Sequence, residues 1–339
     1  MQVAEGGVLK YKTVPQMPDI SFSAVGFGCW AMGGSDVWNG STDASSVRTI
    51  HAAIDAGITF FDVAPVYGFG HAEEILGQAL PGHRDQVIVA SKCGLLWDDK
   101  GVTRNDLTPA SIRWEIDQSL SRLNTDHLDI YQIHWPDPAT PIEDSMGALL
   151  DLQTAGKIHH IGVSNFSVAR TLEAAAVAPV VSHQGLYNML EHNPTSYHGI
   201  PLEYRTADEI LPMVTQRGMA FFPYSPLFQG LLTDAFRASS NFDANDVRSA
   251  NPKLNGALFD TYFGIASQLR AFAQDIGHPL NQVAINWQVS QSAVTSVIAG
   301  AQTPDQVTQN AQAADWELTA DMTTRINEIL APFQESGLI

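Results

Sequence analysis

The feature of this sequence that most restricts its fold is a regular alternation of short apolar segments with longer amphipathic ones. Each short segment is rich in Val, Ile, Phe and Tyr and almost continuously apolar, which is typical of strands buried on both faces. The eight segments are AVGFGCW from Ala24, ITFFDVA from Ile58, QVIVASK from Gln86, LDIYQIHW from Leu128, IHHIGVS from Ile158, VVSHQGLY from Val180, MAFFPYS from Met219 and SVIAG from Ser296. Eight strands that alternate with helices predict an α/β fold, the (β/α)8 TIM barrel.

Helix start and stop signals separate these strands. Thr108 and Pro109 form an N-cap and first-turn pair, and Ile112 and Ile116 then follow helical spacing. Further helices are predicted over 45–56, from Pro141 toward Gly156, after Ser167, from a cap at Thr206 or Asp208 to Gly218, from Thr303–Pro304, and from Leu318 as an extra C-terminal helix. The segment 8–23 alternates around a turn and predicts an N-terminal β-hairpin that plugs the bottom of the barrel. Because no linker divides residues 1–339, we predict a single domain.

An open doubly wound sheet is the rival fold. That fold places a Gly-rich phosphate-binding turn directly after its first strand. The glycines that follow the first strand here do not match the G-x-G-x-x-G spacing, so the barrel is favoured. The longest connection runs from Leu227 to Tyr262 and is rich in Ser, Asn, Asp and Gly. A loop of that length in a compact domain is usually functional, as a lid is, or mobile.

The charge balance argues against some classes of partner. The 339 residues include 36 acidic and 18 basic side chains, a formal net charge of −18. Nucleic acids and anionic membranes bind clustered Lys and Arg, so neither is expected as a partner. We see no secretory signal at the N-terminus and no apolar run long enough to span a membrane. The two cysteines, Cys29 and Cys93, are expected to be unpaired buried thiols in a cytoplasmic protein.

Polar side chains stand where the predicted strands end, and the chemistry of a barrel is concentrated at that face. Asp62 ends the second strand, Lys92 the third and His134 the fourth, and Tyr67 lies in the loop five residues after Asp62. Burying an ammonium without a partner is costly, so Lys92 is expected to pair with a carboxylate, for which Asp62 is the candidate. The remaining polar residues at strand ends are Ser164, Asn165, Gln184, Tyr224 and Ser225.

These four groups suit acid–base chemistry at a carbonyl. A phenol has a pKa near ~10, and a nearby ammonium stabilises the phenolate and is expected to lower that pKa. A neutral imidazole can orient a carbonyl oxygen by hydrogen bonding. The set can protonate a carbonyl oxygen while a hydride reaches its carbon. No residues show metal-ligand spacing such as H-E-x-x-H, so no metal site is predicted.

The segments around these residues resemble the motifs of the aldo-keto reductase family. FFDVAPVYGFGHAEEILGQAL from Phe60 resembles the motif in which Asp and Tyr stand five residues apart. The segments VIVASKCG, DIYQIHWPDP, GVSNF, SHQGLYN, PYSPLFQGLLT and IAGAQTPDQVTQN follow in the family's order. The resemblance runs from about Val25 to the last helix. It implies an NAD(P)(H)-dependent oxidoreductase that transfers a hydride between nicotinamide and an aldehyde, ketone or sugar, in the carbonyl or alcohol form.

The resemblance also implies individual roles at the catalytic centre. Tyr67 would be the general acid/base, Lys92 and Asp62 would tune it, and His134 would orient the carbonyl. The residues implied to line the substrate pocket are Trp30, Tyr67, His134 and Trp135. Trp38 and Trp97 also lie on or near strand-end loops, where indoles can stack on sugars or flat carbonyl compounds.

The resemblance places the cofactor along the strand ends. The implied contacts are Gly28, Cys29, Trp30, Asp62, Ser164, Asn165, Gln184, Tyr224, Ser225, Pro226, Leu227, Gln229, Gly230, Leu231, Gly300, Ala301, Gln302, Thr303, Gln306, Gln309 and Asn310. Among them the Ser, Asn and Gln side chains would hold the nicotinamide carboxamide, and Tyr224 would stack on its ring. The segment 228–232 would fold over the pyrophosphate. The segment 300–310 would receive the adenosine half at a helix N-terminus, which favours anions.

The family default cofactor is NADP(H), but one departure leaves NAD(H) or dual use open. Family members that select the 2′-phosphate commonly place Lys or Arg in the last segment. Here the segment from Gly300 to Gln306 contains no base and one acid, Asp305. A 2′-phosphate bound there would lack a charge-assisted partner.

Two other functions compete with the oxidoreductase. Some relatives of this family are regulatory subunits that hold the nucleotide and turn over slowly, although this chain retains all four catalytic residue types. A barrel lyase would use Lys92 as a Schiff-base nucleophile, because a desolvated lysine can act in that way. The expected pairing with Asp62 argues against the lyase, since it keeps the amine charged.

Overall fold

The computed structural model describes residues 9–34, 42–238, 242, 246–256 and 258–339. Trp38 lies outside these residues. The strands are β1 (Tyr11–Val14), β2 (Met17–Ser23), β3 (Val25–Gly28), β4 (Phe60–Asp62), β5 (Ile88–Cys93), β6 (Leu95–Trp97), β7 (Thr103–Asn105), β8 (Leu128–Ile133), β9 (Ile158–Ser164), β10 (Val180–Leu186), β11 (Ser196–Tyr197), β12 (Ile200–Pro201), β13 (Ala220–Tyr224) and β14 (Val297–Gly300).

Eight of these strands form one parallel sheet in the order β13-β10-β9-β8-β5-β4-β3-β14. The first and last strands of this order, β13 and β14, approach each other and nearly close the barrel. At that seam, the backbone N–H of Thr295 donates to the carbonyl of Phe221 at 2.9 Å. The N–H of Phe221 donates to the hydroxyl of Thr295 at 3.1 Å. The eight apolar segments of the sequence therefore coincide with the eight barrel strands, and the (β/α)8 prediction is confirmed.

Helices follow the barrel strands and cover the outside of the sheet. They are α1 (Asp43–Asp55), α2 (His71–Ala79), α3 (Pro109–Leu123), α4 (Ile142–Thr154), α5 (Val168–Val177), α6 (Leu211–Arg217), α7 (Phe259–Asp275), α8 (Leu280–Val289), α9 (Pro304–Ala311) and α10 (Ala320–Glu335). The hydroxyls of Thr108, Ser167 and Thr303 accept backbone N–H groups at the starts of α3, α5 and α9, as their positions predict. None of the helices among the described residues is long and apolar enough to cross a membrane.

The N-terminal hairpin closes the bottom of the barrel, as predicted. Strands β1 and β2 pair in antiparallel register. Phe22 on β2 is fully buried against Phe60 and Phe222, with ring centroids 5.6 and 5.3 Å apart. The rings of Phe60 and Phe222 stack at 4.4 Å. These aromatic rings seal the end of the barrel that lies opposite the strand-end polar residues.

Three helix predictions need correction. Neither Thr206 nor Asp208 is an N-cap, because a π-helical turn over Thr206–Ile210 runs directly into α6. The Thr206 hydroxyl instead donates to the carbonyl of Leu186 at 2.7 Å. The helix after the long connection begins at Phe259, three residues before Tyr262. Amphipathic spacing does not predict α8, because all ten of its residues are buried and no face of it is exposed to solvent.

Candidate active site

A buried ion pair occupies the middle of the strand-end face. The Lys92 ammonium donates to both oxygens of Asp62 at 2.8 Å and to the carbonyl of Val63 at 3.0 Å. Lys92 is fully buried and Asp62 almost so. The predicted counter-ion is therefore in place, because β4 and β5 are adjacent parallel strands and Lys92 follows Ala90, the register partner of Asp62, by two residues.

Tyr67 reaches this ion pair from the loop after β4. Lys92 Nζ lies 3.3 Å from Tyr67 Oη and 5.0 Å from the centre of the tyrosine ring. The imidazole of His134 meets the same ring edge-on, with centroids 5.9 Å apart. The structure thus brings together the four residues that the sequence singled out.

The electrostatics of Tyr67 differ from the expectation. Burial, the Asp62 carboxylate and the nearby Cys29 raise the pKa of Tyr67 well above its ordinary value. The ammonium does not lower it on balance, because both oxygens of Asp62 already neutralise Lys92. Burial lowers the pKa of Lys92, which the charge of Asp62 opposes. Tyr67 is therefore a neutral phenol at ordinary pH, able to donate a proton.

His134 is a neutral imidazole. Burial, followed by the positive charge of Lys92, lowers its pKa well below the usual value. Its backbone N–H donates to the carbonyl of Cys93 at 3.0 Å, which fixes the end of β8 beside the end of β5. A neutral ring at this position offers a hydrogen-bond donor to an oxygen atom without adding a second positive charge.

Two amide side chains continue the polar face along the neighbouring strands. Gln184 Nε2 donates to Asp62 Oδ1 at 2.7 Å, so this side chain is a further partner of the buried ion pair. Asn165 Nδ2 donates to the carbonyl of His134 and to the Ser164 hydroxyl, both at 3.1 Å. Asn165 also adopts a left-handed backbone with φ of 61°, a conformation that Asn tolerates better than most residues. The amides thus connect the strand ends to the ion pair.

A tyrosine that the sequence did not identify holds Asn165 in position. Asn165 Oδ1 accepts from Tyr224 Oη at 2.9 Å and from Tyr204 Oη at 3.0 Å. Tyr204 is buried, and its oxygen also accepts the backbone N–H of Leu186. Tyr224 stays partly exposed at the mouth of the barrel. The fixed amide thereby sets the orientation of the Tyr224 ring.

The segment after β13 concentrates left-handed backbone at non-glycine residues. Ser225, Phe228 and Gln229 have φ values of 58°, 47° and 53°. Such conformations are uncommon outside Gly and Asn and persist where surrounding contacts impose them. Gln229 supplies such contacts, since its amide nitrogen lies 2.7 Å from Nε2 of His198 and its oxygen accepts from Asn251 at 2.9 Å. This segment is the one expected to fold over the pyrophosphate.

The last predicted cofactor segment combines the end of β14 with the start of α9. Gly300 pairs in register with Gly28, and a Cβ added at Gly300 would meet only the Gly28 carbonyl, at 3.8 Å. Helix α9 begins with a Thr303 cap and carries Asp305 in its first turn. Gln306 Oε1 accepts the backbone N–H of Gln302 at 2.7 Å. An open backbone surface therefore leads to a helix N-terminus.

Aromatic side chains surround Tyr67 at the mouth. Trp30 lies 6.3 Å from Tyr67 and 6.3 Å from His198, measured between ring centroids. Trp135 directly follows His134 and is partly exposed. Trp97 contacts Phe69 at 5.6 Å further out on the rim. No sequence motif identifies His198, because it lies in the turn between the short strands β11 and β12, far from the ends of the barrel strands.

Comparison with known proteins decides the family. The pattern of the Aldo/keto reductase family matches residues 24–331. Aldo-keto reductase YhdN of Bacillus subtilis is 36% identical over 92% of this chain and 91% of its own. The chain belongs to the aldo/keto reductase family. An NADH-specific methylglyoxal reductase of Escherichia coli is 32% identical over 92% of this chain and 95% of its own. The solved glycerol dehydrogenase of Gluconobacter oxydans superposes with a TM-score of 0.83, at 36% identity and 95% coverage of both chains.

Aldo/keto reductases are NAD(P)H-dependent oxidoreductases, and the donor set of this chain fits such a cofactor. Buried Ser, Asn and Gln side chains at the ends of β9 and β10 offer both donors and acceptors, which a carboxamide needs. Tyr224 presents a partly exposed ring beside them. The α9 N-terminus supplies backbone N–H groups that favour an anion.

Proposed function

We propose that this aldo/keto reductase transfers a hydride between a nicotinamide cofactor and the carbonyl of an aldehyde, ketone or sugar, with Tyr67 as the general acid/base. The observation that carries the proposal is the Lys92 ammonium, which lies 2.8 Å from both Asp62 oxygens and 3.3 Å from Tyr67 Oη. This arrangement places a phenolic proton beside a fixed positive charge at the barrel mouth. The regulatory-subunit alternative has weaker support: a probable voltage-gated potassium channel subunit beta of Oryza sativa is 30% identical over 91% of this chain.

The protein's own groups handle the proton. A bound reduced nicotinamide would supply the hydride. Tyr67 is protonated because its pKa is raised, so it can donate to a carbonyl oxygen that gains negative charge. The neutral His134 ring donates a hydrogen bond to the same oxygen and sets its direction. Lys92 then stabilises the phenolate left on Tyr67, which is worth more in a water-excluded site than in water.

The raised pKa gives the two reaction directions different pH dependences. Reduction needs the Tyr67 phenol, which is present throughout the neutral range. Alcohol oxidation needs Tyr67 to accept a proton, so its rate is expected to rise with pH. Profiles of kcat/KM against pH, measured in both directions, check this assignment. A reduction rate that rises with pH in the same way would contradict it.

The proposed substrates are small carbonyl compounds and their alcohols. Trp30 lies between Tyr67 and His198, and Trp135 directly follows His134. Their flat rings also carry N–H groups, and such rings suit small polar compounds. Two relatives are named for glycerol and methylglyoxal, so these compounds belong in the first substrate panel. Larger sugars complete the panel. Turnover of the small compounds but of none of the larger sugars would show that the pocket admits only small substrates.

We propose that NAD(H) serves this chain at least as well as NADP(H). The segment that would hold the 2′-phosphate contains one acid and no base, and Asp305 lies in the first turn of α9. One relative is named as NADH-specific. The ratio of kcat/KM with the two cofactors tests the proposal, and a Gln302→Arg variant provides the gain-of-charge comparison. A strong preference of the parent for NADP(H) would refute it.

The deciding experiment follows the nicotinamide absorbance of the purified protein with the carbonyl and alcohol panel. The oxidoreductase predicts saturable turnover of at least one compound. Tight nucleotide binding without turnover would favour the slow regulatory subunit instead. Borohydride trapping of an adduct on Lys92 would favour the lyase, which the three oxygen acceptors around the ammonium argue against.

A further inference from the structure

A second cluster of ligand-type side chains lies at the opposite end of the barrel from Tyr67. It consists of His127, Asp129 and His159, and we call it the β8–β9 cluster. His127 immediately precedes β8, while Asp129 and His159 are the second residues of β8 and β9. Strand starts lie at the N-terminal face of a barrel, whose residues usually contribute to stability, whereas the active site lies at the opposite face. The proposed reductase reaction uses none of the three.

The strand register brings two members of the cluster together. Leu128 pairs with Ile158 and Ile130 pairs with His160 across the parallel β8–β9 ladder. Asp129 and His159 therefore occupy equivalent positions between these pairs, and Asp129 Oδ1 lies 3.8 Å from His159 Nδ1. Because hydrogen-bonded strands hold both backbones, the spacing of the two donors does not depend on a loop.

The third member stacks on the second. The imidazole rings of His127 and His159 lie face to face, with centroids 4.5 Å apart and planes inclined by 25°. One donor atom from each of the three residues lies within 4.8 Å of the other two. A tetrahedral zinc ion with bonds of about 2.0–2.1 Å needs donors roughly 3.4 Å apart. Side-chain rotations that move the donor atoms by about 1 Å would bring them to the spacing that zinc needs. His159 is exposed and therefore has room for such a rotation.

Surrounding groups hold the ligands as they do in metal sites. Asp129 Oδ2 accepts from Arg84 Nη2 and from the Val89 N–H, both at 2.8 Å, so its other oxygen is left toward the histidines. His127 Nδ1 lies 2.7 Å from Asp126 Oδ1, a contact that fixes the ring. With its proton on Nδ1, the imidazole keeps the Nε2 lone pair for a metal ion. A carboxylate behind a ligating imidazole is the usual outer partner at such sites.

We propose that the β8–β9 cluster binds a divalent transition-metal ion of the Zn²⁺ class, with water completing the coordination. Imidazole and carboxylate donors suit that class of ion. Asp126 and Asp129 place two negative charges against the one positive charge of Arg84, so the site still favours a cation. The bound ion links the starts of two neighbouring strands and so stabilises the fold.

Zn²⁺ titration of the chelator-treated, tag-free protein by calorimetry tests the proposal. The parent is expected to bind one equivalent, and Zn²⁺ is expected to raise its Tm. His159→Asn is expected to weaken binding by more than tenfold and to lose the Tm increase. Asp126→Asn, which changes only the exposed outer partner, is expected to weaken binding less than His159→Asn does, by about tenfold. Co²⁺ substitution gives a visible spectrum that reports the ligand geometry independently.

His278→Asn is the matched control, because its imidazole stacks on Trp316 and lies outside the cluster. That variant is expected to bind Zn²⁺ as the parent does. The proposal is overturned if the parent binds no tighter than His159→Asn, or if His278→Asn loses as much affinity. Carbonyl reduction does not use the cluster, so each variant's turnover separates failure of this site from failure of the proposed reaction.

Discussion

Replacing Lys92 by methionine removes the ammonium that Asp62 contacts through both of its oxygens. At 2.8 Å and an effective dielectric constant near 20, the attraction between the two charges is about 6 kcal/mol. Removing one partner of a buried pair leaves the other charge uncompensated, which typically lowers the free energy of unfolding by about 3–5 kcal/mol. Because Lys92 is fully buried, we expect the Lys92→Met variant to lose stability in that range.

Urea unfolding of two further variants separates charge from packing. Lys92→Met combined with Asp62→Asn removes both charges but leaves an acceptor for Gln184, so it should recover most of the lost stability while staying inactive. Lys157→Met breaks an exposed ion pair with Asp117 and should lower the unfolding free energy by at most about 1 kcal/mol. The reasoning is refuted if Lys92→Met unfolds at the parent's midpoint, or if the double variant is no more stable than the single one.

Three further substitutions test separate parts of the structure. Gly68→Ala makes the new Cβ clash with the backbone carbonyl of Gly33 and should lower the unfolding free energy by at least about 2 kcal/mol, with a fall in kcat/KM because Tyr67 is the preceding residue. Gly82→Ala, also at positive φ but with open space around it, should lower the unfolding free energy by only about 1 kcal/mol, and equal losses in urea unfolding would contradict this steric difference. Burial raises the pKa of Glu115 to about 7, above its unfolded value of 4.5, so the folded state holds the proton more tightly and the unfolding free energy should fall by about 3 kcal/mol as pH rises between those values. Glu115→Gln should flatten this dependence of the unfolding free energy on pH, and parallel profiles for the parent and the variant would count against the assignment. Tyr204→Phe removes one of the two hydroxyl donors to Asn165, which should lower stability by about 1–2 kcal/mol and weaken nucleotide binding in a fluorescence titration; unchanged affinity would show that Tyr204 does not position the amide.

The sequence was sufficient for the barrel because each strand is buried on both faces and therefore almost continuously apolar. Lys92 stood out for the same reason, since a charged residue that ends a buried strand requires a counter-ion. The pairing with Asp62 followed from strand order alone, because consecutive parallel strands are usually neighbours. The structure confirmed the pair at 2.8 Å.

Other features depend on contacts that no local pattern records. The sequence predicted a lowered pKa for Tyr67 from the nearby ammonium, and that direction was wrong because burial and Asp62 outweigh it. Tyr204 reaches Asn165 from a loop 39 residues away, so spacing along the chain gave no signal. The β8–β9 cluster forms across a strand register, which separates its histidines by 32 positions and hides them from any ligand-spacing motif.

Tyr67 is proposed to donate the proton during carbonyl reduction. The most direct test is the rate of hydride transfer by Tyr67→Phe in a single turnover, measured beside the dissociation constant of the nucleotide. We expect Tyr67→Phe to transfer hydride about 100- to 10,000-fold more slowly than the parent and to retain nucleotide affinity, because only the hydroxyl is lost. A Tyr67→Phe protein that transfers hydride at the parent's rate would contradict it.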